Sequence, residues 1–150
     1  MKTIEELKQQ TPVYLHNWKD KIDLVSDFEE DLYMTSSDFY AETATYPNME
    51  AWEKSKEKMR QALGKYEDIN ILFASYGEDN YSGEAWVLFE QDGKLFEVNG
   101  SHCSCYGLEG QWKPEETALE AIQMRLEKGY LGHDNYSGNE FAAELKEFLK

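Results

Sequence analysis

Residues 84–99 read EAWVLFEQDGKLFEVN, two apolar and aromatic runs joined by Asp92-Gly93. Asp-Gly between such runs is a strong hairpin signal, because a two-residue turn of the right twist needs positive φ at both central positions. Outward from this hairpin, INILFASY at 69–76 is a third run, set off by a glycine-containing loop. The three runs predict an antiparallel meander. SHCSCYG at 101–107 follows as a fourth strand or as the loop leaving the sheet.

On both sides of this block the hydrophobic period changes to that of a helix. Leu15, Trp18, Ile22, Val25, Phe28 and Leu32 recur at about 100° per residue from Val13 onward. Asn48 is placed to cap a helix from Met49 to about Lys65, with Met49, Trp52, Met59 and Leu63 inward. Pro114, Glu115 and Glu116 have the composition of a helix start, leading to Leu119, Ile122 and Leu126 and a stop at Gly129. Ser137 and Glu140 have capping-box spacing before a last helix that would bury Phe141, Leu145 and Phe148. The expected fold class is α+β: a small antiparallel sheet of three to four strands over about residues 69–106, flanked by N-terminal and C-terminal helices. At 150 residues the chain is expected to form one domain, an acidic helical part at 1–65 and a sheet with C-terminal helices at 66–150.

Charge separates the function classes. Thirty acids against fifteen Lys and Arg leave a formal charge of -15, which repels nucleic acid and anionic membranes and favours a basic protein surface. Eight of the acids lie between Asp20 and Glu42, with Lys21 the only base among them. On a continuous helix Asp20, Asp23, Asp27, Glu30 and Asp31 would occupy one arc opposite the apolar side. Lys54, Lys56, Lys58, Arg60 and Lys65 form the basic cluster, placed to pair with that arc or with Glu53 and Glu57. No apolar run reaches spanning length and MKTIEELKQQ lacks the apolar core of a signal peptide, so a cytoplasmic location is expected.

His102, Cys103, Cys105 and the distant His133 are the one set with zinc-like chemistry, but structural zinc sites separate paired cysteines by two or more residues. Thiol catalysis would require a histidine to activate Cys103 or Cys105, and on a strand His102 points away from its neighbour. The alternative is that both cysteines pack as small apolar groups. DNYSG occurs at 79–83 and again at 134–138; its register fails that of a calcium loop and fits turn chemistry. No phosphate loop, nucleophile elbow or paired-histidine helix is present, so neither a cofactor nor a catalytic residue is expected.

GSHCSCYGLEGQW at 100–112, the following PEET, and GNEFAAELKEFL at 138–149 resemble a family of small bacteriophage and prophage proteins. The resemblance covers about residues 66–149 and transfers no catalytic residue. It implies a small protein of the host cell cytoplasm, made by a phage or an integrated element. Small acidic proteins of that origin often occupy the nucleic-acid groove of a host defence protein. The expectation is therefore a non-enzymatic inhibitor of anti-CRISPR or anti-restriction type, a DNA mimic binding a nuclease or CRISPR effector through Asp20, Asp23, Asp27, Glu30 and Asp31. Its carboxylates would displace counterions from a groove built for phosphates. The alternatives are a metal-binding or thiol-active protein centred on His102, Cys103 and Cys105, and a structural or regulatory phage protein.

Overall fold

The computed structural model describes residues 2–133 and 138–150. In chain order the elements are α1 (Ile4–Gln9), β1 (Val13–His16), α2 (Lys21–Phe28), α3 (Ser36–Phe39), α4 (Met49–Lys65), β2 (Asn70–Tyr76), β3 (Gly83–Gln91), β4 (Lys94–His102), β5 (Glu115–Thr117), α5 (Leu119–Glu127) and α6 (Ala142–Leu149). The fold is α+β, with one five-stranded sheet in the order β1-β2-β3-β4-β5. β1 runs parallel to β2 and the other pairs are antiparallel, so the sheet is mixed.

The expected meander is its centre. Asp92 (φ 54°) and Gly93 (φ 80°) form the turn between β3 and β4, whose register places Gln91 opposite Lys94. Alternate residues of β3 serve different cores. Ala85, Val87 and Phe89 join Trp18, Val25, Phe28, Trp52, Met59 and Tyr66 under α2 and α4. Trp86 and Leu88 join Leu7, Ile122, Leu126, Phe141, Leu145 and Phe148 under α1, α5 and α6. A sheet covered on both faces needs apolar residues at consecutive positions, which is why AWVLF is an unbroken run.

Several expectations are corrected; Met49, expected inward, is exposed at the first position of α4. Val13 and Leu15 belong to β1, paired with the edge of β2, and α2 begins only after Asp20. Pro12 and the left-handed His16 (φ 64°) bound this strand, while the Asp20 carboxylate accepts the N–H groups of Ile22 (3.0 Å) and Asp23 (3.2 Å) and so fixes the helix start. Glu115 and Glu116 extend along β4 as β5, and α5 starts at Leu119. The last helix starts at Ala142 after Phe141; Ser137, proposed as its cap, lies outside the described residues, as do 134–136 of the second DNYSG copy. The first copy is a turn: Asn80 (φ 53°) and Tyr81 (φ 67°) sit between Asp79 and Ser82, which exchange backbone hydrogen bonds. Among the described residues no helix is long and apolar enough to cross a membrane.

Candidate functional site

α2 ends at Phe28, so the five carboxylates of the expected arc do not share a helix face. Asp20 caps α2. The Asp23 carboxylate accepts the backbone N–H groups of Lys19 (2.9 Å) and Ser36 (2.8 Å), tying α2 to the start of α3. Asp27 accepts the indole N–H of buried Trp18 at 2.7 Å. Burial pushes the Asp27 carboxyl above its ordinary range; the Trp18 bond opposes this, and Asp23 and Glu109 add to it. Oxygens of these three acids are therefore engaged within the fold.

Glu30 and Asp31 differ. They lie in the turn after α2, where Asp31 has φ 56°, both are exposed, and neither has a hydrogen-bond or ion-pair partner among the described residues. Together with Glu29 they border an open cleft of about 620 Å³ whose other walls include Phe28, Tyr66, Gly110 and Trp112. Lys65 enters the same cleft and pairs with Glu29 at 3.2 Å. The following residues expose Tyr33 (80%) and Tyr40 (67%), while Phe39 is half-buried. Most of the α4 basic cluster is used locally: Lys54 pairs with Glu50, Arg60 with Glu57, and Lys56 lies 4.3 Å from the Trp52 ring centre. Of the expected set, the structure thus brings Glu30 and Asp31 together at a cleft and spends Asp20, Asp23 and Asp27 on architecture.

The GSHCSCYGLEGQW stretch is a strand end, a clamped loop and a core anchor. One side chain does the clamping. The Gln111 Oε1 accepts the Ser101 N–H at 2.8 Å, and its Nε2 donates to Ser101 O at 2.8 Å and Gly107 O at 2.7 Å. A β-carbon at Gly100 would stand 2.9 Å from Leu108 Cδ2 and 3.3 Å from Gln111 Oε1, so a side chain there would crowd the clamp. Buried Leu108 and the half-buried Trp112 anchor the far end, the latter against Phe28, Tyr66 and Phe89. Within the clamp the Cys103 N–H donates to Tyr106 O at 2.9 Å and the Cys105 N–H points at Cys103 Sγ, 3.3 Å away. Both cysteines are free thiols, Cys105 exposed and Cys103 half-buried.

His102 is not poised to activate a thiol. Its ring is buried, stacks on Tyr76 with centroids 4.3 Å apart, and its Nε2 lies 2.7 Å from Gly77 O. Tyr76 is pushed up to about 12 by burial and by Asp27, Glu78 and Glu109, so its phenol stays protonated at neutral pH. His133 Nδ1 instead meets Glu140 at 2.9 Å. Among the described residues no group of three or more His, Cys, Asp or Glu could hold a metal ion, and His102, Cys103, Cys105 and His133 form no common ligand set.

No family model, curated protein or solved structure matches the chain.

The most committed carboxylate is one the sequence did not single out. Glu97, in the middle of β4, receives both terminal nitrogens of Arg125 on α5 (3.0–3.2 Å), the Asn99 amide (3.2 Å) and the Trp86 indole (3.3 Å). Burial raises its pKa, but these hydrogen bonds outweigh burial and hold the carboxyl below its ordinary range. An acid at a core position between Phe96 and Val98 was the available signal, since a buried charge requires a partner.

Proposed function

We propose that this chain is a non-enzymatic, phage-derived inhibitor that binds a basic surface of a host nucleic-acid-binding defence protein, of the anti-CRISPR or anti-restriction kind. The observation that carries this reading is the pair Glu30 and Asp31, exposed and without a partner among the described residues, beside a cleft bordered by aromatic rings. A partner Arg could reach the half-buried Trp112 ring and place its guanidinium against these carboxylates. Exposed Tyr33 and Tyr40 supply the rigid aromatic contact area enriched at binding hot spots. The formal charge of -15 supports attraction to a surface evolved for phosphates and disfavours nucleic acid as the ligand.

The test is affinity capture from host lysate at low and high salt, followed by competition with duplex DNA. The expected result is a nucleic-acid-binding protein, released by high salt and by DNA, and captured about tenfold more weakly when Glu30→Gln and Asp31→Asn are combined. A captured partner whose binding ignores salt, DNA and both substitutions would overturn the reading.

A further inference from the structure

The clamped loop carries a second inference, independent of the acidic surface. We propose that Cys103 and Cys105 form a redox-active dithiol that exchanges with a small-molecule disulfide, with Cys103 attacking and Cys105 resolving.

Three observations carry this. First, these are the chain's two cysteines, one residue apart, and both are free. In an extended strand such a pair lies near the upper limit for bridging, but here β4 has ended at His102 and the chain turns, so that the Cys105 N–H faces Cys103 Sγ at 3.3 Å. Second, the loop is held by both ends. Gln111 bonds Ser101 and Gly107, and the Cys103 N–H bonds Tyr106 O, so the dithiol sits in a frame anchored outside itself. Third, the pair borders an open cleft of about 540 Å³ with Tyr76, Ser104, Tyr106 and Glu109, and Cys105 is exposed. A disulfide reagent therefore has access.

The two thiols are not equivalent. The Cys105 backbone N–H, with help from Tyr106 and from the Cys105 side chain, holds the Cys103 thiol below its ordinary range despite opposing desolvation. The Cys105 N–H, 3.3 Å from Cys103 Sγ, is placed to stabilise a thiolate on that sulfur, and this geometry assigns the attack to Cys103. Its sulfur displaces one half of an external disulfide RS–SR, forming a mixed disulfide and releasing RS⁻. Cys105 then loses its proton to the solvent or to the released thiolate and attacks Cys103 Sγ, expelling the second RS⁻. In the balance two protein thiols and one RS–SR become one protein disulfide and two RSH. The protein sulfurs are oxidised and the external disulfide is reduced. A ring closed across one residue is strained, which makes the product readily reducible and the exchange reversible.

The full chain incubated with oxidised glutathione, quenched by acid and read by intact mass, tests this directly. Wild type is expected to lose two hydrogens with no lasting adduct and no free thiol. Because the chain has two cysteines, an intramolecular disulfide can only be this one. Cys105→Ser should instead accumulate a stable single glutathione adduct on Cys103, while Cys103→Ser should form its adduct about tenfold more slowly. Circular dichroism of both variants checks that the fold is retained. Independent glutathionylation of both thiols at equal rates, or a chain-to-chain disulfide in place of the internal one, would overturn the proposal.

Discussion

The acids of α2 and those of the turn that follows are close in sequence and differ in what their oxygens hold. Asp20, Asp23 and Asp27 accept hydrogen bonds that start a helix, join it to α3 and satisfy a buried indole. Glu30 and Asp31 hold nothing among the described residues and face an open cleft. A row of like charges is therefore not one functional unit. Charge density alone cannot distinguish a carboxylate that builds the fold from one free to meet a partner; the geometry of its acceptor atoms can.

This contrast sets an order of expected effects, with Glu97 at its committed extreme. Glu97→Ala leaves the Arg125 guanidinium and the Trp86 indole without their acceptor and should cost about 3–5 kcal/mol in urea unfolding. The same group gives the pH dependence a sign. Its folded pKa is depressed, so its contribution is present above the ordinary value of 4.5 and is lost as pH falls through the lower folded value. Thermal melts taken from about pH 5 down to pH 3 should fall steeply for wild type and less so for Glu97→Gln.

Next in size is the helix start. Asp20→Ala removes the acceptor for Ile22 and Asp23 and should cost about 1 kcal/mol, with Asp20→Asn recovering most of it. Asp27 carries the opposite linkage from Glu97. Its folded pKa is raised, so the ionised form weakens the fold and stability is lost as pH rises from the unfolded value through the folded one. Asp27→Asn keeps an oxygen for the Trp18 indole and removes the charge, so at neutral pH the melting temperature should hold or rise slightly. A loss exceeding about 1 kcal/mol would mean that the charge itself matters there.

The sheet centre was legible because its signals are local. Asp92-Gly93 demands a turn, and the runs beside it are apolar and aromatic. The N-terminal strand was not, because Val13 and Leu15 fit a helical period as well as a strand's alternation. What decides is pairing with β2, more than fifty residues away in sequence. Glu115 and Glu116 have helix-start composition, yet a free edge of β4 captures them. The acidic segment was legible as charge but not as geometry, since α2 ends at Phe28 and the chain turns through Asp31 before Leu32 returns to the same core. In SHCSCYG the residues with reactive chemistry were visible from the start. The Gln111 clamp that presents them was not, because nothing in the identity of a glutamine announces three hydrogen bonds across a loop.

The measurement that bears most directly on the division of carboxylates pairs urea unfolding with partner capture for the combined Glu30→Gln and Asp31→Asn variant. The account predicts a stability within about 0.5 kcal/mol of wild type and a partner affinity about tenfold weaker, with a shallower salt dependence. Unchanged capture, or a stability loss as large as that of Asp20→Ala, would contradict it.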